Sequence, residues 1–254
     1  MMLKRITIAA AALLALQACA TMPPPDFAAA VAAPGRSDAH RQLDEVRRPA
    51  EILAFMGLKR GDRVLDYFTG SGYYAELMAQ AVGPEGSVVG WNSASFGANP
   101  QIRASLDAIA ARHPNATFTA SPVTQLSFAP EAFDFVMMHL VYHDAYWESE
   151  RFGLPRIDPN TVTRAVYQAL KPGGVVAVID HVANPGRDTR AEVEANHRIL
   201  PETIRADFER AGFVLEAESP LLRNPADNRS VSVFDPSIRG RTDRVVYRFR
   251  KPRR

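Results

Sequence analysis

The sequence predicts an α/β fold with a mostly parallel seven-stranded sheet and helices on both faces. Three observations predict it. Apolar, β-branched runs alternate with helical stretches along the chain, the pattern of parallel strands joined by helical crossovers. The first run, "RVLDY" (63–67), passes through a glycine turn straight into a helix. The last, Arg244–Arg250, alternates Val245, Tyr247 and Phe249 with Val246 and Arg248, which suits an edge or antiparallel strand.

Pro49 suits the first helical position, where a missing N–H costs nothing. The helix then carries Ile52, Leu53 and Met56 on one face and stops at Gly57. Strands are expected at Arg63–Tyr67, Ser87–Trp91, Ala116–Ser121, Phe133–Met138, Gly174–Asp180, Val214–Ser219 and Arg244–Arg250. Helices are expected at Gly72–Val82, Pro100–Arg112, Asp158–Leu170 and Pro201–Ala211. In such sheets ligands bind at the carboxyl ends of the strands, near the switch in strand order. The residues that follow each strand are therefore the candidates.

Ahead of this domain the chain divides into two pieces. Residues 1–19 read as an export signal: Lys4 and Arg5 precede an apolar stretch from Ile6 to Leu16, too short to span a membrane. "LQAC" (16–19) has the form of a lipobox, which would make Cys19, the chain's single cysteine, a lipidated N-terminus; "ACA" (18–20) offers a small-x-small cleavage site instead. Residues 20–40, rich in Pro and Ala, read as a tether, and 41–254 as the folded domain. The expected location is the periplasm, with a lipid anchor on the membrane. Without Lys4 and Arg5 the acidic and basic residues balance, so no global field favours nucleic acid. The basic run from Arg239 to Arg254 reads as a solvated edge strand and tail, with a weak anionic surface contact as the sharper alternative.

The glycine turn carries the functional reading. Gly70 and Gly72 let the backbone approach a ligand closely, and Tyr73 opens a helix whose free amides and dipole favour negative charge. Gly70, Gly72 and Ala75 fit G-x-G-x-x-A, a weak signal alone. Asp66 on the strand, four residues before Gly70, tips the balance. The series Asp66, Phe68, Gly70, Gly72, together with "FDFV" (133–136) and "LKPGGVVAVID" (170–180), resembles the class I S-adenosylmethionine-dependent methyltransferases. "GYY", "YHD", "HRI" and "RNPAD" resemble an exported bacterial group of predicted methyltransferases. The resemblance implies a Rossmann-like class I methyltransferase fold and S-adenosylmethionine as cofactor, held by Asp66, Gly70, Gly72, Tyr73 and Asn92. Two departures stand out. Phe68 replaces the first glycine and narrows the methionine end of the pocket. Asn92 replaces the acid that holds the ribose, and Trp91 beside it either stacks on adenine or fills the sheet face.

His143, Asp144 and His181 are the catalytic candidates, since they follow the fourth and fifth strands on the same sheet edge. His143 is expected to act as base, oriented by Asp144 or His181. His139 reads as a core histidine, and His197-Arg198 as a pair that positions its own segment. No H-E-x-x-H pattern supports a metal site, and no G-x-S-x-G elbow supports hydrolysis. The insertion Arg223–Arg244 reads as a lid or a solvated loop, with Arg223 and Arg229 available to an acidic substrate. Methyl transfer to a small or envelope-associated acceptor is thus the leading reading. A catalytically inactive binding protein on the same fold is the alternative. A nicotinamide oxidoreductase is disfavoured by Asp66 and Asn92.

Overall fold

The computed structural model describes residues 23–253, and the expected signal, the lipobox and Cys19 lie outside them. Seven strands form one sheet: β1 Arg63–Tyr67, β2 Ser87–Ser93, β3 Ala116–Ser121, β4 Phe133–His139, β5 Leu170–His181, β6 Val214–Glu218 and β7 Arg244–Arg250. Their order is β3-β2-β1-β4-β5-β7-β6. Strands β1 to β5 pair in parallel, whereas β7 is antiparallel to both β5 and β6. The period-two pattern of β7 thus marks an antiparallel strand, but not an edge. Nor is its basic run solvated: Arg244 and Lys251 are buried, and Lys251 Nζ donates to the carbonyls of Tyr167 and Leu170.

Among the described residues ten α-helices accompany the sheet: α1 Phe27–Ala32, α2 Asp38–Arg41, α3 Asp44–Arg47, α4 Pro49–Met56, α5 Tyr73–Val82, α6 Ala94–Gly97, α7 Pro100–Arg112, α8 Pro159–Ala169, α9 Thr189–Asn196 and α10 Pro201–Arg210. Proline starts α4, α7, α8 and α10, and Asn99 and Asp158 accept first-turn amide protons at the caps of α7 and α8. Two apolar layers cover the sheet. Val64, Phe135, Met137 and Ala177 pack under α4 and α5 on one face; Leu65, Val136, Val178 and Phe249 pack under α8 and α10 on the other. The strand order reverses at β1, between β2 and β4, so the opening of a ligand crevice belongs at their carboxyl ends.

Two segments depart from expectation. The stretch read as a tether is folded from Phe27 onward. Ala30 is buried in the layer under α4 and α5, and the Arg36 guanidinium donates to the Val31 carbonyl and to both Asp44 oxygens, at 2.6, 2.7 and 2.7 Å. Helices of four to six residues are too short to display an amphipathic period, which is why composition alone suggested a linker. The insertion before β7 is pinned as well. Arg198, fully buried, donates to Asp227 at 2.8 Å and to the carbonyls of Val182 and Val231. Arg223 and Arg229 both pair with Asp243 at 2.8 Å, so neither is available to an acidic substrate.

Candidate active site

A cavity of about 300 Å³ opens at the carboxyl ends of β1 and β4. Its walls come from the β1 exit (Asp66 to Ser71), the start of α5 (Tyr73, Tyr74), the β4 exit (His139 to Val141), Asp144, Phe96, and Leu43 and Arg47 of the N-terminal cap. Each strand exit places a non-glycine residue in the left-handed region, Phe68 at φ 55° and Leu140 at φ 59°. Such backbone costs of order 1–3 kcal/mol and gathers at functional sites.

The glycine turn is braced from three sides. The Asp66 carboxylate, almost fully buried, accepts from Thr69 Oγ1 at 2.6 Å and from the Ala75 amide, so it caps α5 from below. Burial pushes this carboxyl up to about 7 in spite of those hydrogen bonds. Asn92 accepts from the Gly70 amide at 2.9 Å and donates to the Gly70 carbonyl at 3.0 Å. Both ends of its side chain are engaged, it is buried, and it does not line the cavity. The structure therefore makes Asn92 a brace of the turn and not a free ribose ligand. Gly72 has φ 89°, and a Cβ there would lie 2.5 Å from Ile109 Cδ1; it serves the close contact with α7. Gly70 differs: it has φ 57°, and a Cβ would meet no atom within 4 Å. Its backbone faces the open cavity. Tyr73 also lines the cavity, with its hydroxyl donated to Asp44 at 2.8 Å.

The two aromatic departures sit together. Phe68 packs edge-on against Trp91 and Phe96, with ring centroids 5.1 and 5.6 Å apart. Trp91 stacks on Tyr67 and donates its Nε1–H to Ser121 at 2.9 Å. It is a buried sheet-face residue and does not line the cavity.

The catalytic candidates regroup around a residue the sequence reading passed over. Asp180, the last acid of β5 and fully buried, accepts from His143 twice, from its amide at 2.9 Å and from Nδ1 at 2.7 Å. His143 Nε2 faces Asp144 at 3.4 Å. Burial opposes the charge on His143, but Asp180 and then Asp144 outweigh it and push the imidazole up to about 9. At neutral pH His143 is thus an imidazolium between two carboxylates, which overturns its expected role as a resting base. Burial raises the Asp144 carboxyl to about 6, against the pull of His143. Asp144 also lines the cavity, which His143 does not. His181 is turned aside: its Nδ1 pairs with Thr242 at 2.6 Å, its ring centroid lies 5.8 Å from that of His143, and burial holds its pKa well down. It does not orient His143. An acid closing an otherwise apolar strand was the signal that would have found Asp180. Of the pair His197-Arg198, the His197 ring centroid lies 4.5 Å from that of Trp147 and 4.9 Å from that of Phe234, and Arg198 anchors the segment to Asp227.

S-adenosylmethionine supplies an electrophilic methyl group and carries a nucleoside and an amino-acid end. The residues here fit that molecule: open space over the Gly70 Cα, unpartnered buried polar atoms at Tyr74 and His139, and apolar rings at Phe68 and Phe96. The cavity lies at the small end of ligand-site volumes.

Comparison with known proteins agrees with this geometry. The model of a methyltransferase-domain family matches residues 58–224. A demethylmenaquinone methyltransferase of Listeria monocytogenes is 31% identical over 135 residues, 51% of this chain and 49% of the relative. The corresponding Geobacillus kaustophilus protein is 28% identical over 135 residues, with 51% of this chain and 50% of that relative covered. The chain thus spans about half the length of the curated relatives it matches. Among solved structures, a SAM-dependent methyltransferase of Aquifex aeolicus superposes with TM-score 0.57 at 17% identity, covering 85% of this chain and all of the other. An S-adenosylmethionine-dependent methyltransferase of Mesorhizobium loti gives 0.56 at 19% identity, covering 82% of this chain and 99% of its own. The chain belongs to the methyltransferase-domain family, has the class I Rossmann-like fold of that family, and takes its methyl donor, S-adenosylmethionine, as cofactor.

Proposed function

We propose that the protein transfers a methyl group from S-adenosylmethionine to a small aromatic, quinone-like acceptor that carries an acidic proton. The observation that supports this most is the shared cavity: the Gly70 backbone and the Asp144 carboxyl face one space at the strand-order switch. The cofactor supplies the electrophilic methyl carbon. Gly70 and the start of α5 hold the donor, and Phe68 and Phe96 exclude water around the acceptor ring. Asp144, ionised at neutral pH with its carboxyl at about 6, takes the acceptor's proton on Oδ. The His143 imidazolium, locked by Asp180, steadies that carboxylate and fixes its direction. The quinone class rests on the named relatives, which match half their length. Incubation with methyl-labelled S-adenosylmethionine and demethylmenaquinone reduced to its quinol, followed by mass spectrometry, tests it. Labelled quinone is expected, with Asp144→Asn lowering the rate about 100-fold or more; no label on any quinone would sink the acceptor class.

Phe68 in place of a glycine favours a second reading, an inactive binder of another ligand. Calorimetry with S-adenosylhomocysteine separates the two. Micromolar binding, near −8 kcal/mol, supports the enzyme; silence at millimolar ligand supports the binder.

The location belongs to the same proposal: export through residues 1–19 and lipidation at Cys19. Fractionation of Cys19→Ser is expected to move the protein from the membrane to the soluble periplasm. Cytosolic wild-type protein would end that reading.

A further inference from the structure

The cavity holds more polar groups than its own wall uses. Tyr74 is 3% exposed, and its hydroxyl has no hydrogen-bond partner among the described residues. His139 Nε2 is likewise buried and unpartnered. The two rings lie 4.8 Å apart, and both line the cavity. Buried polar atoms in native proteins are nearly always satisfied, so two orphans on one wall point to a ligand that satisfies them.

A charge imbalance lies at the same place. Arg47 reaches the cavity from α3 with its guanidinium 4.3 Å above the Tyr73 ring. Among the described residues it makes no ion pair and no side-chain hydrogen bond. The two acids whose charge it feels are engaged elsewhere: Asp66 with Thr69 and Ala75, Asp44 with Arg36 and Tyr73. Asp66, raised to about 7, carries only part of a charge at neutral pH. Arg244, also buried, adds a second guanidinium whose charge bears on Arg47, Tyr74 and His139, and among the described residues it donates only to the Thr242 and Gly240 carbonyls. Burial together with these two cations keeps His139 neutral; its one N–H, on Nδ1, is given to its own carbonyl, so Nε2 faces the cavity as an acceptor. A cation and a hydroxyl are the donor set for a carboxylate, and an imidazole lone pair beside them suits an ammonium.

We propose that Arg47, Tyr74 and His139 form a subsite that takes the amino-acid end of the cofactor, its carboxylate on Arg47 and Tyr74 and its ammonium on His139. Its arginine then comes from residues 23–48, outside the stretch 58–224 matched by the family model. The N-terminal cap is accordingly part of the cofactor site. The cap is tied to the glycine turn at two further points, His40 Nε2 to Ser71 Oγ at 3.0 Å and Asp44 to Tyr73. The proposal rests on the methyl-transfer reading.

The test compares two probes by calorimetry on the full chain. S-adenosylhomocysteine carries the amino-acid end; 5′-methylthioadenosine has the same nucleoside thioether without it. In the wild type the first should bind about 30-fold or more tightly than the second. Arg47→Met should weaken S-adenosylhomocysteine by about 30-fold and leave methylthioadenosine within about twofold. Tyr74→Phe removes a hydroxyl that has no partner in the fold. It should weaken S-adenosylhomocysteine while the melting temperature holds or rises, an outcome that a purely structural tyrosine would not give. Equal losses for both probes, or no loss in either variant, would overturn the subsite and leave methyl transfer standing. A wild type that binds neither probe would overturn both readings.

Discussion

At the scale of single residues the site turns on two conflicts between local preference and position. Phe68 holds φ 55° in a turn where glycine would be relaxed, and its ring packs on Trp91 and Phe96. Phe68→Ala loses the packing and keeps the strain, whereas Phe68→Gly loses both. We expect the glycine variant to be the more stable of the two by about 1 kcal/mol in urea denaturation, the reverse of the usual order. The second conflict is the imidazolium between carboxylates. His143 is raised to about 9 in the fold against an ordinary 6.5. Its contribution is complete below about pH 6.5 and is lost as pH rises through about 9. Thermal melts should therefore fall over that window, by an amount on the order of 3 kcal/mol. Asp180→Asn should flatten the fall, and the histidine's NMR titration should move down with it. For catalysis the rate should climb through about pH 6 as Asp144 ionises and decline near 9 as His143 loses its proton.

At the scale of elements, β2 holds the β1–α5 turn through the Asn92 side chain and through the Trp91 carbonyl, which accepts from the Thr69 N–H at 2.9 Å. Asn92→Asp would bring the residue into line with the family pattern, yet it removes the donor to the Gly70 carbonyl and sets a carboxylate oxygen against it. We expect the variant to lose about 1–3 kcal/mol of stability by chemical denaturation, and to bind S-adenosylhomocysteine no better than wild type. Gly72→Val should cost at least 2 kcal/mol in the same assay, because the added carbons meet Ile109 and Leu106 and the backbone sits at φ 89°. The strands, the glycine turn and the proline-led helices were all legible, since each is written in periodicity or in turn chemistry local to a few residues. Asn92 was not. Its identity announced a polar group at a strand end, but only the register of β2 against β1 decides that it meets Gly70 instead of a ligand. The same holds for Asp180 and His143, which lie 37 positions apart and meet only through the β4–β5 pairing.

At the scale of the whole molecule, two segments outside the alternating α/β pattern are latched to it. The insertion before β7 hangs on Arg198 and Asp227, a fully desolvated pair. Arg198→Ala leaves Asp227 buried without its cation, held only by the Arg229 and Asp243 amides, with a cost of about 3–5 kcal/mol. Limited proteolysis should then cut between Ser230 and Gly240, which the wild type should resist. The short helices α1 to α3 were illegible because their order comes from long-range partners, Arg36 on Asp44 and His40 on Ser71, and not from any period of their own. Their place in the fold changes the reach of the protein. If Cys19 carries acyl chains, only eight residue steps separate it from Phe27, where α1 begins. Fully stretched, that is about 28 Å. The enzyme would work on a short leash, close enough to the lipid headgroups to meet an acceptor in the bilayer and too close to patrol the periplasm.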